Sequence, residues 1–281
     1  MNATVVHTIT EVRAAAARAR AMGMSIAFVP TMGALHEGHA ALVRAAVKPC
    51  SFVVVSVFVN PKQFGPNEDF VKYPRTLNAD RDICSAAGAN LVFAPSAEEM
   101  YPEGAVTYVD IAKLGDTLCG ASRPGHFRGV CTVVLKLFNI VQPDAAHFGA
   151  KDWQQATIIK RMVRDLDVPV KVIVEPTVRE ADGLALSSRN RYLSAEERAV
   201  APMIQAALCS ARDQAAGERR ASALETNLRE RLAAIPGARV DYARVVDADS
   251  LEDLTEVNRP AVAAVAVFLG TTRLIDNILI P

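Results

Sequence analysis

Short apolar runs alternate with helix-length segments through residues 26–174, and this alternation constrains the fold more than any other feature. The runs at 26–29, 51–59, 91–93, 145–148 and 170–174 are short and rich in β-branched, aromatic or other apolar residues. They do not alternate apolar with polar positions, as expected of strands covered on both faces. Helices are predicted over 40–47, 76–87, 130–141 and 152–166. Ahead of them, Thr8 and Glu11 form a capping-box signature for an alanine-rich helix that stops near Gly23. Strands and helices in this order imply an α/β fold, a Rossmann-like parallel sheet wound by right-handed crossovers with helices on both faces. Sheets of that kind bind ligands beyond the carboxyl ends of their strands. Pro30, Asn60 and Gly149 all stand just past predicted strand ends.

After Pro176 the character changes, and residues 179–193 are polar and turn-like. Ser194 with Glu197 caps a helix whose apolar positions Val200, Met203, Ile204, Ala207 and Leu208 follow the helical period. Pro202 inside it predicts a kink. A further helix is predicted over 224–234, then antiparallel strands over 239–246, 261–268 and 273–278. The expectation is two domains, residues 1–177 and a smaller α+β C-terminal domain of residues 178–281.

Charge narrows the partners. The 31 basic and 31 acidic residues balance, which argues against a nucleic-acid backbone as principal partner and leaves small anions open. Cys50, Cys84, Cys119, Cys131 and Cys209 are scattered without a Cys-x-x-Cys pair, so reduced thiols in a reducing cytosol are expected, not disulfides or zinc. Residues 1–20 lack a long apolar stretch, so neither a secretory signal nor a membrane span is read there. An Arg-rich transit peptide is the alternative, and Glu11 with the helix pattern favours a folded first helix.

The strongest chemical signal is His36-Glu37-Gly38-His39, between a strand and a helix. Unpartnered amides and the dipole at a helix start favour phosphate, and two imidazoles add donors. A metal pair is less convincing, because no third ligand stands nearby. Gly149-Ala150-Lys151-Asp152 occupies another strand-to-helix junction, where Lys151 would neutralise phosphate and Asp152 would accept from ribose, or both would be solvated capping residues. Leu186-Ser187-Ser188-Arg189 sets hydroxyls beside a guanidinium, either a closing anion clamp or a polar interdomain loop. Gln63, after the second predicted strand, could bond a small polar substrate. Ser122 to Gly129 is a basic, glycine-rich loop, exposed or in contact with substrate. Asp80 and Asp82 lie on a predicted helix, where surface charge is the usual case. No Walker-type GxxxxGK[ST] is present.

The ordered set of motifs resembles the pantothenate synthetase (pantoate–β-alanine ligase) family, within the nucleotidylyltransferase superfamily, over nearly the whole chain. It comprises Pro30-Thr-Met-Gly-Ala-Leu-His-Glu-Gly-His39, Phe58-Val-Asn-Pro-Lys-Gln-Phe64 and Tyr73-Pro-Arg75. It continues with Arg123-Pro-Gly-His-Phe127, Lys151-Asp-Trp-Gln-Gln155, Asp182-Gly-Leu-Ala-Leu-Ser-Ser-Arg-Asn190 and Arg273-Leu-Ile-Asp-Asn277. The resemblance implies an ATP- and Mg²⁺-dependent condensation of D-pantoate with β-alanine through pantoyl adenylate, releasing pyrophosphate and AMP. It assigns catalysis to His36, His39, Lys151, Ser187, Ser188 and Arg189. ATP contacts fall to those residues and to Pro30, Thr31, Met32, Gly33, Gly149, Asp152, Val178 and Leu186. Pantoate and β-alanine fall to Met32, Asn60, Gln63 and Gln155, and the neighbourhood of the metal to Asp80. It also implies a cytoplasmic homodimer with neither nucleic acid nor membrane as partner. The family pattern often has an acidic or amide residue where this chain has Ala150, a change in a supporting contact that leaves Lys151 in place. Two rivals stand beside it, another adenylyltransferase of the superfamily and a nucleotide-binding module without catalysis. Neutral Gln63 and Gln155 argue against a phosphoester acceptor, and Lys151, Arg189 and both histidines argue against lost catalysis.

Overall fold

A computed structural model describes residues 2–48, 51–66, 68 and 70–281, so the expectation for Cys50 lies outside the described residues. A six-stranded parallel sheet contains β1 (Thr4–Val6), β2 (Ser25–Thr31), β3 (Ser51–Val57), β4 (Leu91–Phe93), β5 (Ala145–Gly149) and β6 (Lys171–Glu175). Its order is β1-β4-β3-β2-β5-β6, and every pairing is parallel. The connecting helices are α1 (Ile9–Ala21), α2 (Glu37–Ala46), α3 (Leu77–Ala87), α4 (Ala97–Met100), α5 (Cys119–Ser122), α6 (His126–Val141) and α7 (Trp153–Asp165). Short 3₁₀ turns follow β3 at Pro61–Gln63 and β5 at Ala150–Asp152.

Strand residues bury alternately on opposite faces. Ile26 and Phe28 join Val54, Phe93 and Phe148 under α1, α6 and α7, whereas Ala27 and Val29 join Val53, Val55 and Val92 under α2 and α3. That double cover explains the absence of polar alternation in the strands, and each fully buried large apolar side chain contributes about 1.5–3 kcal/mol. The strand order reverses at β2, which has β3 on one side and β5 on the other. A crevice therefore opens beyond the carboxyl ends of β2 and β5, the position where such folds hold ligands.

Some boundaries differ from those predicted. β1 was not expected: a three-residue edge strand is too short to show a period, and its Thr-Val-Val is fixed by pairing with β4. Pro30 lies within β2, opposite Ser56, not past its end. It is tolerated because the β2–β5 ladder registers only Ala27 and Phe28, so pairing on that side stops before the residue without an N–H. α2 starts at Glu37 and α6 at His126, each earlier than predicted.

The C-terminal part is an antiparallel sheet of β7 (Ala238–Asp247), β8 (Ala261–Leu269) and β9 (Thr272–Ile280), in that order. The helix expected to kink at Pro202 is divided there into α8 (Ala195–Val200) and α9 (Met203–Gln214), and α10 (Ala221–Ala233) follows. A 3₁₀ turn, Ser188–Tyr192, precedes them. Ala263, Val265 and Val267 of β8 pack under α9 and α10. From its opposite face Val262 and Ala264 pack with Val246, Leu251 and Leu118, with Trp153 and Tyr242 against them, so this sheet docks directly on the larger domain. Trp153 Nε1 donates to Ala248 O across that junction at 2.9 Å. Among the described residues no helix is long and apolar enough to cross a membrane.

Gly129 sets the approach of α6 to the turn after β3. A Cβ there would lie 2.1 Å from Lys62 O, a backbone atom that cannot give way cheaply. Gly129→Ala gains about 0.5–1 kcal/mol of helix propensity and loses about 1–3 kcal/mol to overpacking. A lower denaturant midpoint is expected, and a raised midpoint would contradict the packing.

Candidate active site

Three loops converge beyond β2 and β5. The first runs from the end of β2 into α2. Gly33 and Ala34 both have positive φ, 84° and 52°, which turns the chain sharply. Asp80, on α3, holds that turn: its carboxylate accepts from Ala34 N at 3.2 Å, Leu35 N at 2.8 Å and Thr76 Oγ1 at 3.2 Å. Asp80 is 1% exposed, which corrects its reading as a surface charge, whereas Asp82 is exposed as expected. The reason is a partner distant in the chain: two buried amides of the 34–35 turn need an acceptor, and the Asp80 carboxylate supplies two oxygens for them. The assignment of Asp80 to the neighbourhood of a metal meets oxygens already engaged by amides and hydroxyl. Among the described residues no group of three His, Cys, Asp or Glu could hold a metal ion.

His36 is the N-cap of α2, and its Nδ1 accepts from Gly38 N at 3.1 Å. His39, one turn on, accepts from His36 N through its own Nδ1 at 3.3 Å. The two rings are in contact, centroids 4.2 Å apart and planes tilted by 44°. A nitrogen that accepts from a backbone amide carries no proton, so each neutral ring bears its hydrogen on Nε2 and presents it as a donor. Burial pushes His36 down to about 4, helped by the positive charges of Lys151 and Arg191. Burial lowers His39 to about 3, with His36 and Lys151 adding to the effect. Both rings are thus neutral donors near pH 7.

Lys151 sits in the turn after β5, mostly covered, with its Nζ 3.9 Å from the Asp152 carboxylate. Its charge acts on both histidines, which places the second motif beside the first. The third arrives from residues 178–191. Leu186 N donates to Val178 O at 3.0 Å, closing the loop's base, and Ser187 Oγ accepts from Arg189 N at 3.2 Å. Leu186 reaches the start of α2, where a Cβ built on Gly38 would lie 3.8 Å from its own. Ser188 opens the 3₁₀ turn, and Arg191 Nε donates to Ser188 O at 2.9 Å.

A cleft of about 880 Å³ opens between the two sheets, lined by Lys151, Asp152, Gln155, Ser187 and Arg189 among the expected residues. Arg123 and His126 of the basic loop also line it. Arg123 pairs with Glu68 at 2.6 Å and donates to His126 Nε2 at 3.0 Å, while His126 Nδ1 donates to Gln63 O at 2.8 Å. His126 is therefore neutral too, lowered to about 4 chiefly by burial.

Met32, Asn60 and Gln63 are bonded to one another, with Asn60 and Gln63 buried and Met32 partly exposed, and none of the three lines that cleft. Gln63 Nε2 donates to Met32 Sδ at 2.8 Å, and Asn60 Nδ2 donates to Gln63 Oε1 at 3.0 Å. Tyr101 donates its hydroxyl to Asn60 Oδ1 at 2.9 Å. Thr31 Oγ1 donates to Ser56 O at 2.7 Å, fixing the end of β2 beside Pro30. Gly149 is the last residue of β5, and no atom lies within 4 Å of a Cβ built on it.

Sequence reasoning quoted Arg273 to Asn277 as a motif without giving it a place in the site, and it missed Arg239, Asp241 and Tyr242. Arg239, Asp241, Tyr242, Arg273, Asp276 and Asn277 line the same cleft. Arg273 pairs with Asp241 at 2.7 Å and Tyr242 Oη lies 3.2 Å from Cys119 Sγ. The available signal was a charged and amide pair, Asp276-Asn277, inside a strand of mostly apolar residues. Gln154, beside the expected Gln155, is a buried structural residue that accepts from Cys119 N at 2.9 Å.

Fold and site together define a Rossmann-like α/β protein with a cation-rich cleft, lined by Arg123, Lys151, Arg189, Arg239 and Arg273, while His36 and His39 stand near Lys151 and outside that lining. The model of the pantoate–β-alanine ligase family matches residues 4–279, and the chain belongs to that family. It is 54% identical to a pantothenate synthetase of Moorella thermoacetica over 98% of both chains. It is 55% identical to one of Pseudomonas savastanoi over 97% of both. A pantothenate synthetase structure from Thermus thermophilus superposes with TM-score 0.92 at 48% identity, covering 98% of each chain. A pantoate–β-alanine ligase from Francisella tularensis, complexed with beta-gamma ATP and beta-alanine, superposes with TM-score 0.78 at 33% identity. That match covers 99% of this chain and 97% of the other.

The histidines make a testable link between site and stability. Their folded values lie below the ordinary 6.5, so the unfolded chain binds more protons in that interval. Stability is fully present above pH 6.5 and falls as pH drops toward 4. Thermal melts across that window should show the decline, and His39→Gln should flatten it. An unchanged slope in the variant would contradict burial of a neutral His39.

Proposed function

We propose that the enzyme joins D-pantoate to β-alanine at the expense of ATP. The pantoate carboxylate attacks the α-phosphorus of ATP, forming pantoyl adenylate and expelling pyrophosphate. The β-alanine amine then attacks the activated acyl carbon, the acyl–oxygen bond breaks, and AMP leaves with pantothenate as product. The observation that carries this reading is the convergence of His36, His39, Lys151 and the 187–189 loop at the reversal of strand order.

A carboxylate and a triphosphate repel each other, so the residues must supply positive charge and fixed donors at the developing charge. In this reading the two Nε2–H groups donate to phosphate oxygens, and Lys151, Ser187, Ser188 and Arg189 stabilise the transferring and leaving phosphates. The main chain at Pro30, Thr31, Met32, Gly33, Val178 and Leu186 borders the nucleotide. Gly149 and Asp152 take the ribose. Gln63, Met32, Asn60 and Gln155 hold pantoate and β-alanine, the neutral amides of Gln63 and Gln155 suiting the hydroxyls of pantoate. Residues 1–177 provide this platform and residues 178–281 close over it.

Mg²⁺ would enter with ATP, neutralising its phosphate charge when bound. Among the described residues no cage is built for it, and Asp80 is committed to the Ala34 and Leu35 amides. Its oxygens would come from the triphosphate and water, as is common for this ion. Homodimeric assembly and cytoplasmic residence belong to the same reading and rest on the family resemblance.

Incubation with isotope-labelled substrates should yield pantothenate, AMP and pyrophosphate in equal amounts. Formation of ADP, or turnover indifferent to pantoate, would overturn the reading. Lys151→Ala should retain pantoate binding by calorimetry while adenylate formation falls on the order of 10²–10³-fold. A normal rate of adenylate formation would remove Lys151 from its phosphate role.

A further inference from the structure

β9 carries two adjacent polar residues, Asp276 and Asn277, that are 5% and 8% exposed in a strand otherwise rich in apolar side chains. Buried polar groups are costly unless their hydrogen bonds are made, so their partners are informative. Asn277 Nδ2 donates to Ala150 O at 2.9 Å and to Lys151 O at 2.8 Å. Both amide hydrogens are thereby spent on the single turn that carries Lys151. That turn has no side-chain cap of its own at Gly149 or Asp152. The fixed carbonyls hold the Lys151 backbone and so the direction in which its side chain leaves.

Asp276 works on the other loop. Its carboxylate accepts two bonds from Arg179, at 2.7 and 2.9 Å, the two-pronged geometry that resists rotation. Arg179 also donates to Gly183 O at 3.1 Å and bridges Ala185 across the base of the segment whose tip is Ser187 and Arg189. Asp276 Oδ1 additionally accepts from Asn277 N at 2.8 Å, which ties the two neighbours together.

We infer that Asp276-Asn277 is a positioning pair for the reaction, registering the Lys151 turn against the 187–189 loop from the C-terminal sheet. The inference rests on the ligase reading above. Neither residue transfers a proton or bonds to a reacting atom in this account. Asn277 acts through Lys151, and Asp276 through Arg179. The smaller domain is then part of the phosphate site's alignment as well as its cover. Misplacing such a group by about 1 Å can cost on the order of 10²-fold in rate.

A double-mutant cycle tests this on the full-length enzyme, reading single-turnover formation of pantoyl adenylate. Asn277→Ala should lower the rate about 10- to 100-fold, with the KM for pantoate within about twofold of wild type. In a Lys151→Ala background the same change should cost less than about threefold, because the group it positions is gone. An equal cost in both backgrounds would overturn the inference, and so would an unchanged rate in the single variant. Asn277→Ser, which keeps one donor, enters the same cycle should the alanine variant fail to fold. Wild-type enzyme that forms no pantothenate would instead overturn the ligase reading, so the two failures are distinguishable.

Discussion

Two backbone amides at the start of α2, those of His36 and Gly38, each point into an imidazole nitrogen, and the donor character of both rings follows from that arrangement. It satisfies amides that a helix start leaves without partners, and it fixes both rings and their tautomers. Burial then keeps the rings neutral, so they act as hydrogen-bond donors without bringing two more positive charges against Lys151. Asp80 extends the same logic one turn earlier, where its carboxylate takes the amides of Ala34 and Leu35. The loop is thus preorganised by its own backbone hydrogen bonds. In the proposed reaction little reorganisation is left for the moment when charge develops on phosphate.

Position in the sheet supplies the rest. The reversal of strand order at β2 leaves the ends of β2 and β5 facing an open crevice, and the two richest motifs of the chain occupy those ends. The third motif comes from beyond the sheet, and its alignment depends on contacts with β9. The two sheets are joined by an apolar patch around Leu118, Val262 and Ala264 and by directional bonds at Trp153 and Asn277. Apolar burial gives adhesion, while the directional bonds give register.

Much of this was legible in the sequence because the controlling forces are local or periodic. Strands such as 53–55 announce double cover by lacking polar alternation. The capping boxes at Thr8 with Glu11 and Ser194 with Glu197 form as read, and Pro202 divides its helix. The errors have a common cause, partners distant in the chain. Asp80 looks like a surface charge until the 34–35 turn is folded onto it, and β1 exists only by pairing with β4. His36 is an unusual N-cap, which hid the true start of α2. Asn277 meets residues 126 and 127 positions away, so its polar character was visible and its purpose was not. The motif set named candidate residues, and the tertiary structure reveals which of them line the cleft, such as Lys151 and Arg189, and which, like Asn60 and Gln63, bond to each other outside that lining.

The central claim is that His36 and His39 are neutral donors through Nε2–H with Nδ1 tied to the backbone. Nitrogen-15 NMR of histidine-labelled protein near pH 7 reads tautomer and charge of each ring directly. The account predicts two neutral rings protonated at Nε2, with those Nε2–H resonances moving on addition of ATP. An imidazolium ring, or a proton on Nδ1 of either histidine, would contradict it.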